Sequence, residues 1–140
     1  MFWVFKKAKS DIHAAMMAAA GKGDCPRKRL RSMWFALVEY GFAAPNDFIF
    51  VEMMTAEIHK AFEGDPELEQ IQTDVLSEIQ AGIESNVLVQ APTETIEIIL
   101  ASPAITLARR ASGTGVRMDR AELERVFELV WRGISRSPVE

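Results

Sequence analysis

Apolar residues recur at intervals of three and four along almost every segment of this chain, and no stretch sustains a two-residue alternation. That period puts apolar side chains on one face of a helix, whereas a half-buried strand needs alternation, so the sequence predicts an all-α protein. Glycine and proline divide it into six helices. The first is expected from about Ser10, as N-cap, to Ala20, stopping at the Gly21-Lys22-Gly23 turn. Pro26 opens the second, which runs to about Ala43 ahead of Pro45. Asn46 is the expected cap of the third, which holds DFIFVEMMTAEIHKAF. Asp65 caps the fourth, with Pro66 as its first helical residue. Leu68, Ile71, Val75, Ile79 and Ile83 give the fourth one apolar stripe, and it is expected to be the longest. Thr93 starts the fifth, with a kink expected at Pro103.

The sixth helix has the best-specified start. Asp119 and Glu122 have the spacing of a capping box, and Met118 and Leu123 flank them as a hydrophobic staple would. Beyond them, Leu123, Val126, Phe127, Val130, Trp131 and Ile134 form a broad apolar face. A stripe of that size must close the core or meet another subunit.

The 140 residues suit one domain with a real core, and 49% hydrophobic with 26% charged residues favours neither disorder nor a membrane protein. The stretch AAMMAAAG has no long apolar segment before it, Asp11 and His13 interrupting that region, so a cytoplasmic location is expected. A lone Cys25 can form neither an internal bridge nor a metal or redox pair.

Charge is uneven. Residues 1–32 carry a net +6, from eight Lys or Arg against Asp11 and Asp24, which leaves −10 for the remainder. A basic end of this kind can face nucleic acid or simply be solvated. No catalytic residues are expected, because the chain has no His-Glu-x-x-His helix, no Gly-x-Ser-x-Gly and no complete phosphate loop. No metal site or cofactor is expected either: the two histidines are His13 and His59, and Glu57 and His59 fall on different sides of a helix. The Met- and aromatic-rich second and third helices could instead enclose a pocket for an apolar ligand.

The opening FWVFKKAKSDI, with Phe2, Trp3, Phe5, Lys6, Lys9 and Asp11, resembles the junction after the recognition helix in TetR-family transcriptional regulators. The resemblance extends through PRKRLRSMWFALVEY, the DVLSEIQAGIES helix and the final MDRAELERVFELVWRGI, with Trp131 and Gly133 near its end. It departs from the family pattern in lacking most of the three-helix DNA-binding unit, and the Phe5-to-Lys9 spacing is one residue longer than usual.

The resemblance implies a remnant of the DNA-binding unit and junction over 1–9 and a helical ligand-binding and dimerisation domain over 10–140. It implies a six-helix bundle that forms a homodimer through its last two helices, with Ile98, Ile105, Leu123, Phe127, Val130, Trp131 and Ile134 at the interface. It also implies a small apolar effector lined by Met17, Trp34, Val38, Tyr40, Met54, His59, Phe62 and Val75, with Tyr40 and His59 as orienting polar groups. Specific DNA binding is expected only if a helix-turn-helix unit precedes Met1, and not from these residues alone. The alternative is a stand-alone helical interaction protein that heterodimerises with a full-length regulator.

Overall fold

The computed structural model of the chain describes residues 2–58 and 63–136. Among them are six helices: α1 (Phe2–Ala20), α2 (Pro26–Ala43), α3 (Pro45–Ile58), α4 (Pro66–Glu84), α5 (Thr93–Thr114) and α6 (Arg120–Ile134). The described residues contain no strand, and their only extended pairing is an isolated antiparallel bridge between Leu88 and Ser135. There Val89 N donates to the Ile134 carbonyl and Arg136 N to the Val87 carbonyl, tying the α4–α5 loop to the end of α6.

Three helix expectations differ from the structure, one being α3, which begins at Pro45 so that the expected cap Asn46 is already helical. Helix α1 begins at Phe2 rather than near Ser10, because Phe5, Ala8 and Ile12 continue one buried stripe across the junction. Residue 10 is therefore mid-helix, and the backbone runs unbroken from the junction into the remainder of α1. The longest helix is α5, with 22 residues against 19 for α4, since Pro103 does not end it. Proline removes one donor, whose partner would be the Ile99 carbonyl, and Ile99 lies on the exposed side of α5.

The starts of α2, α4, α5 and α6 agree with the sequence signals. Asp65 accepts from the backbone N–H groups of Glu67 and Leu68, ahead of Pro66. Asp119 accepts from Glu122 N at 2.9 Å. The reciprocal half of that capping box is not made, because the Glu122 carboxylate pairs with Arg125 instead. Helix α5 ends on Gly115 at φ 75°, a left-handed cap suited to glycine.

Helix α2 is the centre of the bundle. Leu30, Met33, Trp34, Phe35, Leu37 and Val38 are all buried on it, so it packs on several sides at once. Against its outer half, Trp34 meets Phe35 and Phe127 edge-on at ring separations of 5.1 and 5.5 Å, and Phe127 stacks on Trp131 at 5.8 Å. Arginines roof this seam: Arg27 lies over Phe127 and Trp131, while Arg31 and Arg120 lie over Phe35. Their charges are met by Glu128, Glu124 and Glu39.

That pairing decides the character of the basic N-terminal third. Lys6 meets Asp65 and Glu67, Lys7 meets Asp11, Arg29 makes a two-pronged contact with Glu78, and Lys28 meets Asp24. Six of the eight cations of residues 1–32 thus lean on carboxylates of the same chain rather than forming an open positive face.

Helices α2 and α5 approach closely at Gly41. A Cβ added there would lie 2.3 Å from the Cβ of Ala108, which is itself fully buried. Gly41→Ala is expected to destabilise the chain by about 1–3 kcal/mol in urea unfolding, the usual cost of overpacking. A neutral effect would mean that the two helices separate freely at this point.

Candidate functional site

A cleft of about 150 Å³ opens between α1, α3, α4 and α5. Its walls are Ile12, His13 and Met16 of α1, Phe48 and Val51 of α3, Ile71 and Val75 of α4, and Ala101 and Ile105 of α5, with Leu37 of α2 at the bottom. A narrower apolar slot of about 40 Å³ adjoins it, sharing Met16, Leu37, Val75 and Ala101 and reaching Trp34. The α4 stripe explains the opening: Ile79 and Ile83 are buried, whereas Leu68, Ile71 and Val75 are only half-buried because that end borders the cleft.

The polar groups of the cleft come from four helices. Glu97 of α5 accepts from the Gln72 amide at 3.1 Å, and Glu52 of α3 stands 3.7 Å from the Arg109 guanidinium. His13 Nε2 is 2.9 Å from Asp74 Oδ2, and Asp74 Oδ1 also accepts from Gln70. Hydrogen bonds from Gln70 and His13 hold the Asp74 carboxyl below the usual carboxylate range. An ionised Asp74 can only accept, so His13 Nε2 is the donor in this contact. This leaves Nδ1 buried without a hydrogen-bond partner.

Lys9, one turn before His13, is half-buried at the cleft, and no hydrogen bond or ion pair reaches it among the described residues. Burial pushes its ammonium below the ordinary lysine value, and the neighbouring Glu52 and Glu97 carboxylates offset part of that push.

Of the residues expected to line a pocket, Val75 borders both hollows and Trp34 the slot. Trp34 Nε1 is already occupied, donating to the Leu100 carbonyl at 3.0 Å. Val38 is fully buried, and Met17 and Met54 pack on the core away from both hollows. Tyr40 also lies outside them, with burial raising its hydroxyl above the ordinary value. His59 and Phe62 lie outside the described residues. The lining that sequence reasoning missed includes the whole α1 wall: Lys9, Ile12, His13 and Met16 recur at three and four and share a face. That spacing is visible in the sequence, but nothing in it distinguishes a cleft wall from a core stripe.

The residues expected at a subunit interface divide into two groups. Leu123, Phe127, Trp131 and Ile134 face the core of their own chain, with Phe127 fully buried, and Ile105 lines the cleft. A second copy could not reach the four buried side chains of α6 without unpacking the monomer. The outward residues are Ile98, at 65% exposure, and the half-buried Val130; beside them lie Ile99 and Leu129, the latter 62% exposed.

No protein-family model and no curated relative matches the sequence. Solved structures do match the fold. A TetR family transcription regulator from Marinobacter aquaeolei VT8 superposes with a TM-score of 0.80 at 19% identity, over 95% of this chain and 70% of that one. A putative transcriptional regulator, a TetR family protein from Vibrio parahaemolyticus, gives 0.74 at 18% identity, over 95% and 71% of the respective chains. The chain therefore has the all-α fold of TetR-family regulators. Among the described residues no helix is long and apolar enough to cross a membrane, and no cluster of three His, Cys, Asp or Glu could hold a metal ion.

The depressed Lys9 value has a stability consequence. The unfolded chain holds the Lys9 proton more tightly than the folded one, so the charged ammonium costs stability below its folded pKa. The cost disappears as pH rises through that value towards the ordinary one. Lys9→Met is expected to stabilise the chain at neutral pH, with the gain shrinking in the alkaline range where lysine loses its proton. Urea unfolding across a pH series checks this, and a gain independent of pH would show that the charge is not what costs.

Proposed function

We propose that this chain is the ligand-responsive, dimerising domain of a TetR-like transcriptional regulator, and that its small, largely apolar effector occupies the α1–α5 cleft. The observation that carries the reading is the match of the whole helix order to a TetR family transcription regulator over 95% of the chain. The cleft supports it, because its walls are mostly apolar side chains and its few polar groups converge from separate helices. An effector that prefers one arrangement of these helices would shift the population by its differential affinity.

In this reading the domain is that of a cytoplasmic, non-enzymatic protein, and operator recognition would occur only if a helix-turn-helix unit precedes Met1. By themselves the basic side chains of residues 1–32 could supply only salt-sensitive phosphate attraction, weakened by their pairing with carboxylates.

The dimer would form through the outward faces of α5 and α6. On α5, Thr95, Ile98, Ile99, Ser102 and Thr106 are exposed at helical spacing, and the small residues at 102 and 106 allow a close crossing. Leu129 presents an exposed apolar side chain on α6, flanked by the half-buried Val126 and Val130. This stripe would also seat a full-length relative, giving a heterodimer with a single DNA-reading head.

Ile98→Glu with Leu129→Glu is expected to convert the dimer to a folded monomer in light scattering, with helicity unchanged by circular dichroism. A dimer that survives both changes excludes this interface. Chromatin immunoprecipitation of the native product then separates the two readings. Discrete genomic sites support the regulator, whereas no sites together with capture of a full-length TetR-like protein support the heterodimer.

A further inference from the structure

The cleft's polar groups are unequal in a way that selects the chemistry of an occupant. The carboxylates are supplied, Glu97 by Gln72, Glu52 by Arg109 and Asp74 by Gln70 and His13. The nitrogen groups are not: His13 Nδ1 is buried without a partner, and the half-buried Lys9 ammonium has no ion pair among the described residues. Both are on one face of α1, four residues apart, so they line the same wall.

Resting on the ligand-binding reading above, we propose that the effector is a small monocarboxylate whose carboxylate is held between the Lys9 ammonium and His13 Nδ1. Its apolar body lies over Leu37 and Val75 towards the slot beside Trp34. One carboxylate oxygen accepts from Lys9 and the other from His13, which takes up a proton at Nδ1 from solvent while Nε2 continues to donate to Asp74. The charged groups around His13 are Lys9 on its own helix, Glu52 on α3, Asp74 on α4, and Glu97 and Arg109 on α5. A ligand hydroxyl or ammonium could donate to unprotonated Nδ1, but the hydroxyl would leave Lys9 without an ion pair and the ammonium would face the Lys9 charge, so an anion that brings a proton onto Nδ1 suits both groups best. The volume sets the body: a cavity of about 150 Å³ accepts a molecule the size of benzene.

The test uses probes that share one body and differ only at the head. Benzoate, benzamide, benzyl alcohol and benzylamine are titrated calorimetrically into the full chain at neutral pH. Benzoate is expected to bind roughly tenfold tighter than benzamide or benzyl alcohol, about the difference between a charge-assisted and a neutral bond, with benzylamine weakest. Benzoate binding should take up protons, seen as a buffer-dependent heat. Lys9→Met should abolish the preference for benzoate while keeping the benzamide affinity, and Lys9→Arg should restore it; retained benzamide binding also shows that the variants are folded. Equal or better binding of the alcohol, amide or amine overturns the carboxylate assignment and leaves the cleft as a ligand site. Benzoate selectivity that persists in Lys9→Met also overturns it. If none of the four probes binds the folded chain, the assignment fails together with the ligand-binding reading of the cleft.

Discussion

The architecture is registered on the crossing of α2 and α5. Gly41 lets α2 approach the buried Ala108 closely, and seven residues earlier on α2 Trp34 donates its indole N–H to the Leu100 carbonyl of α5. A close backbone approach at one point and a directional hydrogen bond at another fix both the separation and the rotation of α5. With its rotation fixed, the 3.6-residue period assigns three tasks to three sides of that helix. Ile96, Leu100, Ala104 and Ala108 enter the core, Glu97, Ala101 and Ile105 face the cleft, and Ile98, Ile99 and Ser102 face outward. A different rotation of α5 would exchange these surfaces.

The polar groups obey a consistent rule, and the cleft is where the rule lapses. Along the α2–α6 seam each arginine places its flat face on an aromatic ring and its N–H groups on a carboxylate, as Arg27 does with Trp131 and Glu128. These pairs are partly exposed and each contributes little to stability. Their effect is to neutralise the positive charge of the N-terminal third within the molecule. No charged or polar residue is fully buried among the described residues, and the one buried side-chain nitrogen or oxygen without a partner there is His13 Nδ1 in the cleft wall. A protein that satisfies its polar atoms elsewhere and leaves one unmet on a residue of the cleft wall has concentrated its unmet hydrogen bonding at a single place.

The helices are legible in the sequence because their signals are local. Asp65-Pro66 and Asp119 with Glu122 mark starts through geometry that any helix needs, and the stripe from Leu68 to Ile83 states which side of α4 turns inward. The start of α1 is misplaced by sequence reading because Ser10 looks like a cap in isolation, whereas the burial of Phe5 and Ala8 depends on partners distant in sequence. The site is less legible for the same reason. Trp34 and Val75 stand out by their apolar character, but the cleft is defined by what four helices fail to fill, and no single segment encodes a missing volume. Phe127 and Trp131 illustrate the reverse case. A strong apolar face on a last helix is compatible with a partner or with the chain's own core, and only the position of α2 against it assigns Phe127 inward and Leu129 outward.

The separation of surfaces on α5 also limits how an effector in the cleft could influence a partner on the outside. Glu97 and Ala101 contact the cleft, while Ile98 and Ser102, one residue on in each case, belong to the outward stripe. A rotation or bend of α5 therefore moves both surfaces together, with no chain of intermediate residues needed. Pro103 lies just beyond Ala101 and removes one hydrogen bond from the helix there, which makes this the segment of α5 where a bend costs least. On the opposite wall, Lys9 and His13 belong to the continuous helix that carries Phe5 and the exposed Trp3. Drawing those two groups onto a ligand would act on α1 as a rigid body, so one binding event would bear on both the end of α1 and the outward face of α5. The size of the response would be set by how differently the two arrangements bind the ligand, and a ligand held equally in both would move neither helix.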